Sequence, residues 1–418
     1  MNITIITAGS RGDVQPYIAL GAGLRKAGHS VCMPAAGIFR ELILENDLNY
    51  VQTNSVEPQE FIKSLEMENA SKSKNKLKFI STMFNELKPI IRGVFSETWE
   101  ACQGSDLIIT TLAAMGASDS AEKLGIPCIH TTVLPVCPTS EFQSPFVPDL
   151  FNHSISNKLT HKLTEQVVWQ PFRAIINQWR KDVLGLEPIG FWGKYRKIYS
   201  GDMPVLCGFS PTIIPKPRDW PYPINITGYW FLDEPEGWQP PEDLKAFLNA
   251  GPPPVYIGFG SMVDKDPERI TRIALDALRQ CGQRGIISSG WNGLGTEKLP
   301  DTVLKVDSLP HSWLFKRVSA IVHHGGAGTT AAALRSGKPS IIAPFFADQP
   351  FWAKRIAELG VGPKPIAYSR LDSVNLAELI NIATDEKIKM KANQIGKTIE
   401  KENGVQKAVD IIERYLGR

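Results

Sequence analysis

Short β-branched runs alternate with helical segments from the first residues onward, and this rhythm restricts the chain to an α/β fold. ITIITA (residues 3–8) reads as a buried parallel strand and GSRGD (9–13) as a loop. VQPYIALGAGLRKAGH then reads as a helix with Ile18, Leu20 and Leu24 as its apolar set, stopping at Gly28. SVCMPAA is a second strand. Beyond residue 105 the pattern returns as DLIITT, a small-residue segment with SAEKLG, and PCIHTTV. It restarts near residue 254 with PPVYIGFGS, an amphipathic DPERITRIALDALRQCG, GIISSGW, VLKVDSL, SAIVHH, TTAAALRSG and PSIIAPFF. Such alternation predicts parallel sheets with helices on both faces.

A chain of 418 residues exceeds what one hydrophobic core serves, which predicts two domains. Between the two runs lies SPTIIPKPRDWPYPINITGYWFLDEPEGWQPPEDL, whose proline density suits a stiff connector better than a sheet interior. The expected layout is an N-terminal domain over 1–213, a linker over 214–240, a C-terminal domain over 241–400, and a helix over 401–418 with the N-terminal domain as its candidate partner.

Hydrophobic residues make up 43% and charged residues 21%, as in ordinary soluble domains. A net charge of +3 is too small to argue for nucleic acid. The six cysteines, Cys32, Cys102, Cys128, Cys137, Cys207 and Cys281, include no C-x-x-C pair. That spacing supports neither a zinc site nor a disulfide framework and fits a reducing compartment. MNITIITAGS lacks a basic leader pattern, and no apolar run reaches roughly 18 residues. The expectation is a cytoplasmic protein, with contact to a membrane surface left open. Two stretches fit the alternation poorly. SKSKNKLKFISTMFNELKPIIRG is rich in lysine, and NKLTHKLTEQVVWQPFRAIINQWRKDV sets Trp169, Phe172 and Trp179 among basic residues. They read either as solvated basic faces of buried helices or as an apolar entrance able to touch anionic lipid.

HHGGAGTT (323–330) carries the strongest chemical signal. A strand, a glycine turn and a helix present free backbone N–H groups at a helix N-terminus, a natural phosphate site. Gly325, Gly326 and Gly328 admit an anion close to the backbone, Thr329 adds a hydroxyl or caps the helix, and His324 can donate to a phosphate oxygen. Neither a P-loop nor G-x-G-x-x-G is present, so the turn alone is equally a tight strand–helix connection. Other strand ends add to it. Asp348 and Gln349 suit paired sugar hydroxyls, His311 and Trp313 follow another strand, and Ser261 and Trp291 end two more. Each alone is readily a packing or turn residue; together they describe a crevice for base, phosphate and sugar.

The stretch VDSLPHSWLFKRVSAIVHHGGAGTTAAALRSGKPSIIAPFFADQPFWAKRIAELGVG resembles the donor signature of the UDP-glycosyltransferases, in the branch of sterol glucosyltransferases and bacterial antibiotic glycosyltransferases. GSRGDVQPYIALGAGLRKAGH and TGYWFLDEPEGW resemble further signatures of that branch, and the likeness is weakest between about residues 55 and 200. The resemblance implies a GT-B fold: two facing Rossmann-like domains, acceptor on the first and nucleotide-sugar on the second. It implies that His324, Gly326, Gly328, Thr329 and Ser261 contact the donor diphosphate. Asp348 and Gln349 would hold the sugar, Val306, Leu309 and Trp291 would frame the base, and Arg11 and Gly12 would face the phosphates. Asp13 matches the proposed catalytic base, although an aspartate just before a helix is also a good N-cap. Phe142, Phe146, Trp169 and Phe172 are candidates for the acceptor cleft. One position departs from the plant and animal pattern: where a glutamate grips the ribose there, this chain has Ala332.

The implied reaction is an inverting sugar transfer, best from UDP-glucose, to a hydroxyl of a lipophilic sterol, terpenoid, polyketide or phenolic. A base must take the hydroxyl proton, and His324 with the glycine-rich N–H groups would stabilise the leaving diphosphate without a metal or other cofactor. The partners would be the nucleotide-sugar and the acceptor, with no nucleic acid. A TDP-sugar stays open because of Ala332. A nucleotide-sugar epimerase needing no second substrate and a non-catalytic binder are the competing readings. An NAD oxidoreductase lacks its glycine fingerprint.

Overall fold

A computed structural model describes residues 1–7, 9–53, 91–112, 114–147, 153–201, 203–260, 266–288, 299–307 and 309–417. Two parallel sheets organise them. The first contains β1 (Asn2–Ile6), β2 (Ser30–Ala35), β3 (Asn49–Gln52), β4 (Leu107–Thr111), β5 (Cys128–Thr132), β6 (Val205–Cys207) and β7 (Ile224–Ile226). Their spatial order is β3-β2-β1-β4-β5-β6-β7. The second contains β8 (Val255–Ile257), β9 (Gly285–Ser288), β10 (Val303–Val306), β11 (Ala320–His323) and β12 (Ser340–Ile342), in the order β10-β9-β8-β11-β12. Both are Rossmann-like domains, and together they make a GT-B fold.

The local causes are simple. Ile3, Ile5, Leu107, Ile109 and Ile129 are buried among helices, as β-branched and leucine-rich strands of a parallel sheet must be. The chain reverses its order of addition beside β1 in the first sheet and beside β8 in the second. Ligands of such sheets bind at the carboxyl ends of the strands flanking that switch point. Here those ends are β1 with β4 and β8 with β11.

The segment expected to be a connector departs from that reading. Residues 224–226 form β7, the edge of the first sheet, paired with β6. Pro221 and Pro223 precede it, and an edge strand tolerates proline because one side of its backbone needs no partner. The helix Gly404–Tyr415 buries Ala408, Val409 and Ile412 in the same core as Leu20 and Leu24, and its Glu413 bonds His29 at the end of the first helix. A further core belongs to both domains: Val205, Cys207 and Phe209 of the first meet Leu334, Ile342 and Trp352 of the second. Among the described residues no helix is long and apolar enough to cross a membrane.

Candidate active site

The two switch points face each other across a cleft of about 510 Å3, lined from both domains. On one side is the N-terminus of the helix Arg11–Lys26. On the other is the N-terminus of the helix Ala327–Arg335. They approach so closely that a Cβ built on Gly328 would lie 3.5 Å from the Cα of Gly12. The positive ends of two helix dipoles therefore open on one space.

Asp13 sits inside the first helix, not before it. Ser10 is the N-cap, and Asp13 at the third position completes a capping box. One carboxylate oxygen, Oδ2, accepts the Ser10 backbone N–H at 2.8 Å and the Ser10 hydroxyl at 2.9 Å. Asp13 also lines the cleft. Burial raises its pKa above the usual carboxylate range, against the two Ser10 bonds that lower it. Arg11 and Gly12 line the cleft beside it, and the Arg11 charge is felt at His311 on the opposite wall.

The glycine turn behaves as a shaped anion cradle. Gly325 has φ +93°, and a Cβ there would come within 2.6 Å of Ile342, so only glycine fits the turn. Gly326 is the N-cap and offers no side chain to the helix N–H groups, which stay available to a ligand. His323 is fully buried and accepts the Gly325 N–H on Nδ1 at 3.1 Å. His324 is buried beneath the turn with Gly260 against its ring edge, where a Cβ would lie 2.9 Å away. Burial pushes the His324 pKa down to about 4. Its imidazole is therefore neutral near pH 7 and offers one N–H rather than a cation. Nδ1 is buried with no partner among the described residues, whereas Nε2 lies at the Gly326 turn. His311, also on the wall, is likewise pushed down to about 4 by burial, with smaller contributions from Arg11 and His324.

Thr329, Asp348 and Gln349 complete the far wall. Asp348 stands at the N-cap position of the helix Gln349–Glu358 without a capping side-chain bond; its Oδ2 accepts instead from Trp352 Nε1 at 2.9 Å. Burial raises its pKa to about 6, and the charge of Asp13 adds to the rise. Gln349 is buried, and its side-chain oxygen accepts the Phe345 N–H at 2.7 Å, so that oxygen serves the loop. Ala347, next to this pair, holds a left-handed φ of +57°, strain of the kind often found at binding sites.

Other expected residues fall elsewhere. Leu309 lines the cleft; Val306, at the end of β10, packs beside it in the same apolar cluster rather than on the wall. Ser261 and Trp291 lie outside the described residues. Phe142, Phe146, Trp169 and Phe172 do not line the cleft. Trp169 is buried with Phe95 and Trp179, and Phe172 packs on that cluster. Phe142 meets Phe351 at 6.0 Å, and Phe146 stands 43% exposed. Aromatic content signals a pocket poorly, because the same residues fill cores. The cleft instead takes Tyr229, Trp230 and Phe231 from the segment after β7, together with Asp233. Asp233 pairs with Arg335, whose guanidinium lies 4.5 Å from the centre of the Phe231 ring. No local spacing announces a pair 102 residues apart. Ala332 does line the cleft, at the position where the resemblance leads one to expect a glutamate.

Two family models match the chain: the glycosyltransferase family 28 N-terminal domain over residues 3–143, and the erythromycin biosynthesis protein CIII-like C-terminal domain over residues 275–410. A sterol 3-beta-glucosyltransferase of Arabidopsis thaliana is 36% identical over 430 residues, which cover all of this chain and 68% of that protein. The chain belongs to the glycosyltransferases, in the branch of the sterol glucosyltransferases. This glycosyltransferase-family chain is also 37% identical to a sterol 3-beta-glucosyltransferase of Cryptococcus neoformans. It spans only 27% of that relative's length. Among solved structures, the calicheamicin glycosyltransferase CalG4 superposes with a TM-score of 0.72 at 17% identity, covering 100% of this chain and 98% of its own. The glycosyltransferase VinC, in complex with dTDP, gives 0.66 at 17% identity, with 99% of each chain covered. At such identities the structures speak for the fold.

Proposed function

We propose that this glycosyltransferase-family chain moves a sugar, glucose from UDP-glucose first, to a hydroxyl of a lipophilic small molecule in one inverting displacement. The observation that carries the reading is the opposition of Asp13 and the glycine turn across one cleft. The acceptor oxygen attacks the anomeric carbon, the bond from that carbon to the diphosphate oxygen breaks, and the acceptor proton passes to Asp13. A base whose pKa is raised by burial takes a proton more readily, and the two Ser10 bonds engage Oδ2, which assigns the acceptor proton to Oδ1. The leaving diphosphate gains negative charge beside the N–H groups of residues 327–329, with neutral His324 donating one hydrogen bond. This is electrostatic stabilisation by groups already in place. Asp348 and Gln349 hold the sugar, and the closed approach of Gly12 to Gly328 excludes water that would hydrolyse the donor. The lipophilic acceptor class is taken from the names of the sterol-glucosylating relatives.

A TDP-sugar is the second reading. Ala332 on the cleft wall offers no carboxylate to a ribose hydroxyl, and VinC is a neighbour of the same fold in complex with dTDP. The test is nucleotide release from UDP-glucose and TDP-glucose with a panel of sterols and phenolics. Acceptor-dependent release that collapses in His324→Ala supports the reading. Binding of the nucleotide without release, across the panel, would make the chain a binder.

A further inference from the structure

The helix Ser154–Trp179 is two-faced in an unusual way. Trp169, Ile175, Ile176 and Trp179 are buried on its inner side. On its outer side Ile155, Leu159, Leu163 and Val167 recur every fourth residue and are 84%, 64%, 56% and 66% exposed. Four residues at that spacing form one continuous stripe on a helix, and a stripe of this size facing solvent marks an interaction surface. Phe191 and Trp192 extend the apolar surface beside the helix. They are 50% and 70% exposed, and the segment is held there by Gln170, whose side-chain amide donates to the Phe191 carbonyl at 2.8 Å.

We propose that this face docks on an anionic lipid bilayer. The charge around it selects that partner. Residues 153–200 carry eight Lys and Arg against three Asp and Glu; Arg180 and Lys194 pair with Asp119 and Glu122, which leaves six basic residues against three acidic ones. Lys162 and Lys158 lie on the flank of the stripe; Lys158 also pairs with Asp219. Arg173 lies over the Phe191 ring at 5.5 Å. The helix's one acidic residue, Glu165, is partly buried, and Tyr199 hydrogen-bonds it. An apolar stripe, flanking lysines and an exposed tryptophan beside the helix are the parts of an interfacial surface that lies in the headgroup plane. The docking is separate from sugar transfer, and its use would be to bring the cleft to acceptors that reside in lipid.

The test is co-sedimentation of the full chain with phosphatidylcholine vesicles made with and without phosphatidylserine. The comparison is wild type against a Leu159→Asp, Leu163→Asp double variant. Wild type should pellet with the anionic vesicles and be released by salt, and the variant should bind at least ~10-fold more weakly. Far-UV circular dichroism and turnover of a water-soluble phenolic acceptor without vesicles should be the same in both. Wild type that stays in solution with anionic vesicles overturns the proposal, and so does a variant that pellets equally. A wild-type dimer that the variant dissolves would give the face to a second copy instead. If neither protein turns over any acceptor while wild type still binds vesicles, the proposed reaction fails and the docking face stands.

Discussion

Asp13 shows one side chain holding two positions at once. Its Oδ2 completes the capping box of the first helix, and the residue lines the cleft. The two functions separate by substitution. Asp13→Asn keeps an oxygen that can accept the Ser10 N–H but loses the proton acceptor. Turnover should fall by about 10²–10⁴ with the melting temperature almost unchanged. Asp13→Ala should lose activity equally and in addition about 1 kcal/mol of stability, read from chemical denaturation. An active Asp13→Asn would reduce the residue to a cap. Ala332 offers a test of donor choice. Ala332→Glu places a carboxylate on the cleft wall in need of a hydroxyl, so the ratio of UDP-sugar to TDP-sugar turnover should rise by about tenfold.

At the scale of the element, the turn from β11 into the next helix is the most demanding piece of backbone. Gly325 needs a left-handed φ and has no room for a Cβ against Ile342. Gly325→Ala should cost at least about 2 kcal/mol, measured by denaturant unfolding, and raise the KM for the donor as the N–H groups turn away. This turn was legible in the sequence because its cause is local: an apolar strand, three glycines and two threonines in one run. The first helix was legible too, but its start was placed after Asp13, whereas it begins at Arg11. Ser10 caps it three residues earlier than the hydrophobic pattern announces, because a cap is decided by hydrogen bonds and not by periodicity.

For the whole molecule, the chain crosses back from the second domain to the first on a contact of two glycines, Gly404 and Gly228. A Cβ on Gly404 would lie 2.4 Å from the Tyr229 carbonyl oxygen and 2.6 Å from that of Gly228, both backbone atoms with little freedom to move. Beside it Glu402 is buried and accepts from Ser210 at 2.6 Å and Thr212 at 2.8 Å. Gly404→Ala should therefore shift one domain against the other. The expected result is about 2 kcal/mol or more of lost stability, with a fall in turnover although no cleft residue is changed. Acid should act on the molecule through its buried histidines. His311 and His324 are pushed from 6.5 down to about 4, and burial also holds His323 well below its ordinary value. The unfolded chain therefore takes up protons first. Their contribution to stability is present above pH 6.5 and is lost as pH falls from there toward 4, roughly 2 kcal/mol at pH 5 for each of His311 and His324. Asp348, raised to about 6, and Glu165, raised to about 7, work in the opposite sense, because protonation relieves their burial. Asp13, also raised by burial, joins them, and His130 and His161 are lowered like the other three; five histidines against three carboxylates leave a net loss, seen as a melting temperature that falls between pH 6.5 and pH 4.

The sequence by itself determined the strands and helices, the two-domain α/β plan and the glycine turn, because each depends on side chains within a few residues of one another. Tertiary structure decided which of these elements meet. Gly12 faces Gly328, Arg335 pairs with Asp233, and Asp348 feels the charge of Asp13 only because two switch points are folded onto one cleft. It also decided which aromatics are core. Trp169 is buried while Leu163 and Val167 of the same helix face outward, a division set by what packs against each side of that helix. Composition carries no record of that packing, since burial is a property of neighbours brought together by the fold.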